Sequence, residues 1–237
     1  MPLIKEAIEK ILGLASIQTQ IVGSQIFTNS DLELVKDAVT DILKVRNLSG
    51  IVDYLKNNFD SKLPVLIHVE SPTRVNVLTR FNRDLHRSTL IEAHAFTPEI
   101  AFGRYYDIES FNILLQSCFV QTELRDTLLG IVGNVKDENV TNFGDDGVSQ
   151  QVTAKTGVAT VGPVKLPNPV WLKPFRTFVE IEQPLSAFVF RMKDGPSASL
   201  FEADGGAWKV VAVQEIKSYL STALNLQVES GEIVIVG

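Results

Sequence analysis

A chain of 237 residues that is 45% hydrophobic and 21% charged can bury a sizeable core, which excludes a disordered segment. Its formal charge of −6 excludes a general nucleic-acid coat, because such proteins need a basic surface to release counterions. No apolar run reaches the roughly 18 residues of a membrane span, charges interrupt MPLIKEAIEKILGLAS where a secretory leader has an apolar centre, and the single Cys118 cannot form an internal disulfide. A cytoplasmic protein with no membrane partner is the expectation.

Leu3, Ile4, Ala7, Ile8, Ile11 and Leu12 fall on one stripe at helical spacing, so an amphipathic helix over residues 3–15 is predicted, with one face to be covered. The following IQTQIVGSQIF reads as a poorly determined strand or tether. Ser30 with Glu33 has capping-box spacing and predicts a second helix carrying Val35, Ala38, Val39, Ile42 and Leu43. Ser49 is expected to cap a third, with Ile51, Val52, Leu55 and Phe59 inward. The chain then divides into an N-terminal helical segment, 1–47, available as an assembly arm, and an α+β core domain, 48–237.

LPVLIHVES, RVNVLTRF and STLIEAHAF are strand-length runs separated by turn residues, which predicts a meander. Asp107 is placed to cap a helix through IESFNILLQSCFVQ, lined by Phe111, Leu114, Leu115 and Phe119, and ELRDTLLGIVGNV predicts another. The polar stretch 136–147 reads as an exposed loop. SQQVTAKTGVATVGPVKLP, TFVEIEQ and SAFVFRM alternate as half-buried strands do, and Asp194-Gly195 signals a turn into SASLFEA. A long helix follows from Trp208 to about Leu224, with Val210, Val211, Val213, Ile216, Tyr219 and Leu220 expected to be largely buried, before a closing EIVIVG strand. The expected class is α+β: a mainly antiparallel sheet flanked by helices, with N-terminal helices and a long C-terminal one.

Four constellations could carry chemistry. His68 and Glu70 share a strand face, as do Glu92 and His94, but across a meander they stand two strand spacings apart, roughly 9.5 Å, too far for one ion held at about 2.1 Å. A polar outer sheet face is the favoured reading, and no metal is assigned. Arg80, Arg83, His86 and Arg87 concentrate positive charge at a hairpin tip, either to engage phosphates of nucleic acid or a nucleotide, or to pair with Asp84 or another subunit. Glu202 and Asp204, ahead of Gly205-Gly206, suit metal or acid–base work, or a structural turn with Asp204 as a cap-like acceptor and Trp208 as an anchor. In TFVEIEQ, Glu180 and Glu182 are expected on one strand face, in an ion-pair network with Arg176 or Arg191 or lining an anion groove.

SGIVDYL, ESPTRVNV, PNPVWLKPFRTFVEIEQP and LFEADGGAWK are similar in order and character to segments of the YfdQ-like domain of unknown function, a family of phage and prophage proteins. The likeness covers roughly residues 48–226 and leaves the first 47 outside. It implies a bacterial host cell and an accessory role near phage DNA recombination or replication, and it brings no catalytic residue. The expected protein is a non-enzymatic phage accessory factor without a cofactor that self-associates through Ile4, Ile8, Ile11 and Leu12. A nucleotide-signal binder that counters host defence, a structural shell or scaffold protein of the phage, and a metal-dependent hydrolase using Glu202 and Asp204 are the alternatives.

Overall fold

The computed structural model describes residues 5–15, 19–22, 25–28, 41–82, 85–134, 151–156, 160–165, 168–193 and 197–237. The chain forms two compact units, Met1–Val39 and Thr40–Gly237. The smaller contains helix α1 (Lys5–Ala15) and an antiparallel hairpin of β1 (Thr19–Val22) and β2 (Gln25–Thr28), which turns the ambiguous IQTQIVGSQIF into two strands. The unit boundary lies ahead of residue 47. Leu43 heads strand β3 (Leu43–Val45) of the larger unit, so Ile42 and Leu43 do not extend a helix. The rest of that predicted helix, 30–40, lies outside the described residues.

The larger unit has two layers of packing. Helix α2 (Leu48–Asn57) leads into the predicted meander of β4 (Val65–Ser71), β5 (Arg74–Thr79) and β6 (Thr89–His94). Next come β7 (Tyr106–Asp107), α3 (Ile108–Cys118) and α4 (Glu123–Gly133), then an antiparallel hairpin of β8 (Gln151–Thr156) and β9 (Thr160–Lys165). The chain ends with β10 (Val170–Leu172), β11 (Ser186–Lys193), β12 (Ser197–Glu202), α5 (Trp208–Ala223), α6 (Asn225–Glu229) and β13 (Ile233–Val236). The meander is extended at each edge by a parallel strand, giving the order β13-β4-β5-β6-β3. A separate antiparallel sheet has the order β10-β11-β12-β7. An α+β architecture results.

The two larger sheets of this unit each pack against helices. Val65, Ile67, Val75, Val77 and Ile91 alternate inward from the meander against Ile51 and Leu55 of α2 and Ile216 and Leu220 of α5. Phe188, Phe190 and Leu200 of the second sheet pack on Phe111 and Leu115 of α3 and Leu128 of α4. Helical spacing explains one correction here. On α5 only Ala212, Ile216 and Leu220 are buried, every fourth residue, whereas the valine-rich run leaves Val210 and Val211 exposed over about half their surface or more. Phe59 lies past the end of α2, beyond the left-handed Asn58, and is 88% exposed.

The caps separate correct spacing from misplaced capping. Asp107 caps α3 as predicted, accepting from Ser110 N–H at 2.9 Å, and that hydrogen bond holds its carboxyl below the ordinary value. Asp107→Ala is expected to lower the urea midpoint with an unchanged slope; an unaltered midpoint would reject the cap. For α2 the cap is Asn47, whose Oδ1 accepts from Gly50 N–H, and Ser49 instead donates its backbone N–H to Glu180 Oε1 at 3.0 Å. A distant carboxylate therefore serves the helix start.

Candidate functional site

The run TFVEIEQ is not a strand, contrary to its alternation. Between Pro174 and Pro184 it turns through the first core, where Phe178 and Ile181 are buried. One side chain meets three of its backbone hydrogen bonds. Gln183 Oε1 accepts from the N–H groups of Arg176 and Thr177 at 3.0 and 3.3 Å, and its Nε2 donates to Phe178 O at 3.1 Å. Thr177 Oγ1 donates to Pro72 O, tying the segment to the β4–β5 turn. Glu180 and Glu182 consequently part company, one capping α2 and the other pairing with Lys173 at the surface.

Arg176 is the centre of the only buried charge cluster seen among the described residues. Its side chain is 9% exposed; Nη1 donates to Glu202 Oε1 at 2.9 Å, Nη2 donates to Ser186 Oγ, and Asp204 Oδ2 lies 3.9 Å away. The guanidinium lies 3.8 Å from the centre of the Trp208 ring and 5.9 Å from that of Phe188. Burial pushes the Arg176 pKa down to about 10 against the pull of Glu202 and Asp204. Burial alone would raise the Asp204 carboxyl, but the Ser186 hydroxyl, the Gly206 N–H, Arg176 and the Trp208 N–H together hold it below its ordinary value. The ion-pair network expected for Arg176 thus uses Glu202 and Asp204, with Glu180 and Glu182 elsewhere.

Asp204 turns the chain by accepting from Gly206 N–H at 3.0 Å, which Gly205 and Gly206 permit by adopting φ of +61° and +81°. The N-cap residue of α5 is Ala207, which has no side-chain hydrogen bond, and Asp204 serves the helix start as the cap-like acceptor expected of it, through the Trp208 N–H. Both carboxylates of FEADGG are therefore committed to a guanidinium. Arg191 lies on β11 opposite Ser199 of β12.

At the β5–β6 tip, Arg80 is exposed and Arg83 lies outside the described residues. Arg87 donates from Nη1 to Thr79 O at 2.8 Å and stacks 3.9 Å from the Phe81 ring centre, while His86 N–H donates to Asn82 Oδ1. Arg87 therefore clamps the hairpin. Of the predicted assembly residues, Ile4 lies outside the described residues, and Ile8, Ile11 and Leu12 of α1 are 45, 55 and 64% exposed.

The outer face of the meander carries His68, Asn76 and Glu92 in register across three strands, with Lys44 of β3 beside Glu92. Between the two acidic strands sits Arg74, 3.5 Å from Glu70 and 3.3 Å from Glu92, and Asn76 Nδ2 donates to Glu70 at 2.8 Å. These side chains fill the space in which four ligands would have to meet. A cavity of about 240 Å³ opens beside them, lined by Lys44, Val45, Arg46, Arg74, Glu92 and His94. Arg46 and Lys44 went unnoticed in the sequence because the helical stripe through Leu43 concealed a three-residue strand.

A second cavity, of about 440 Å³, includes Tyr54 and Asp60. Tyr54 OH donates to Asp60 Oδ2 at 2.8 Å; burial, then the Asp60 hydrogen bond and charge, push its pKa up to about 12. The phenol form thus adds stability below pH 10 that is lost as pH rises through about 12. In an alkaline absorbance titration Tyr54 is expected to ionise well above the ordinary phenol range, and ionisation of all four tyrosines in one step near pH 10 would contradict it.

No helix among the described residues is long and apolar enough to cross a membrane. No protein-family model, curated protein or solved structure matches the chain.

Proposed function

We propose that this chain is a non-enzymatic binding protein that assembles with copies of itself, and that it serves as a phage or prophage accessory factor in DNA recombination or replication within the bacterial cytoplasm. The observation that carries self-assembly is the uncovered stripe of α1, where Ile8, Ile11 and Leu12 remain about half exposed or more. An isolated helix of this length is marginal in water, so its apolar face calls for a partner surface. Covering the remaining area of those three side chains is worth about 1 kcal/mol each per copy before ordering costs, and repetition around a closed ring multiplies it. The binding reading, in place of hydrolysis, draws on the engagement of Glu202 and Asp204 by the buried Arg176. The phage setting draws on the resemblance to the YfdQ-like family.

Light scattering of the full chain carrying Ile11→Glu and Leu12→Glu tests the assembly. A folded species of lower mass than the unmodified protein is expected, because two charges cannot be buried without partners. Unchanged stoichiometry would reject assembly through α1.

A further inference from the structure

We infer that the cavity on the outer face of the five-stranded sheet is a binding site for a nucleotide unit, taken from single-stranded nucleic acid and held by Lys44, Arg46 and Phe96. This rests on reading the chain as a binding protein but does not depend on its assembly. Lys44, Arg46 and Arg74 set three permanent cations against one carboxylate, Glu92, around about 240 Å³. Arg74 is spoken for, since Glu70 and Glu92 both pair with it. Neither Lys44 nor Arg46 has a carboxylate partner among the described residues. Lys44 lies on β3 and Arg46 directly past its end, both lining the cavity, on a chain whose formal charge is −6. Unneutralised cations in such a setting make a local anion site, with arginine supplying a fork and lysine a point charge.

The aromatic beside them narrows the anion to one that carries a base. Phe96 follows β6 and is 77% exposed, and the Arg46 guanidinium lies 5.1 Å from its ring centre. A phenyl ring so open to solvent, with a cation on one face, has its other face available to a nucleobase, while the phosphate reaches Lys44 and Arg46. An acidic peptide would use the charges without the ring. The polar row of Asn76 and His68 continues across the sheet from Glu92 and offers hydrogen-bonding groups along which a strand can run.

Fluorescence anisotropy of the full chain with a labelled oligothymidylate of about twelve nucleotides tests this, with AMP as competitor and, by calorimetry, as sole ligand. Salt-sensitive oligonucleotide binding is expected. In Lys44→Ala/Arg46→Ala it should weaken tenfold or more, and its log–log salt slope should fall by about 1.4, at roughly 0.7 per phosphate of a single strand. Phe96→Ala should weaken it about tenfold with the slope kept, as loss of one stacked base does. Binding of AMP alone, with the same dependence on these residues, supports the site with a free nucleotide as its source. The idea is overturned if neither probe binds, if these variants bind as the unmodified chain does, or if binding is lost only in Arg80→Ala/Arg87→Ala. Light scattering of each variant separates this outcome from a failure of assembly.

Discussion

Arg176→Ala is expected to destabilise the larger unit by about 3–5 kcal/mol, the largest effect of any single change proposed for this protein. The guanidinium is nine-tenths buried, and its loss leaves Asp204, itself 11% exposed, as a buried charge whose nearest cation is gone. It also removes the slab between Trp208 and Phe188, which joins the start of α5 to the second sheet. Glu202→Gln should cost far less, because that carboxylate is 43% exposed and water replaces much of what the pair supplies. Pairing Arg176→Met with Asp204→Asn should recover part of the loss, since the stranded charge is removed with its partner. Urea unfolding of the four proteins measures this, and a loss below 1 kcal/mol for Arg176→Ala would show that the cluster is not a structural pin.

The same cluster sets an acid limb. Asp204 has its folded pKa below the ordinary 3.8, so the folded chain binds fewer protons there than the unfolded one. That contribution is present above about pH 4 and is lost as pH falls through the folded value. Asp204→Asn should flatten this part of the stability curve while lowering its plateau.

Gln183→Leu is expected to cost about 2 kcal/mol or more, since the buried N–H groups of Arg176 and Thr177 lose their partner at once, each costing roughly 1–3 kcal/mol unpaired, while Phe178 O keeps only the Ile181 N–H. The side chain is 5% exposed, so water cannot take its place without opening the segment. Amide exchange gives a local readout: the Arg176 and Thr177 N–H groups should exchange much faster in the variant. Unchanged exchange with a loss below 1 kcal/mol would mean that Phe178 and Ile181 alone hold the segment in place.

Short-range information was legible wherever it coincided with packing. The period-two runs 65–71, 74–79 and 89–94 formed strands, because the apolar half of each alternation is the half that meets α2 and α5. Asp107 capped its helix because a cap needs only residues three apart. Three stretches show where such reasoning ends. TFVEIEQ alternates as well as any strand, yet Gln183 offers its backbone a local substitute for a ladder and the flanking prolines withhold donors. Leu43–Val45 continued a helical stripe but found an open parallel edge beside β6, which no window of sequence contains. The valine-rich face of α5 was apolar without being inward, since burial follows the direction of the helix over the sheet rather than composition.

The sequence by itself determined the α+β class, the meander, the capped helix α3 and the residue types available for binding. Tertiary structure alone decided which of them meet. Arg176 reaches Glu202 across 26 positions and Glu180 reaches Ser49 across 131, while Lys44 comes to lie beside Glu92 through strand pairing. Contacts at such separations depend on how whole sheets and helices close over their cores. Apolar area drives that closure without marking, in any local stretch of chain, which polar groups it will bring together.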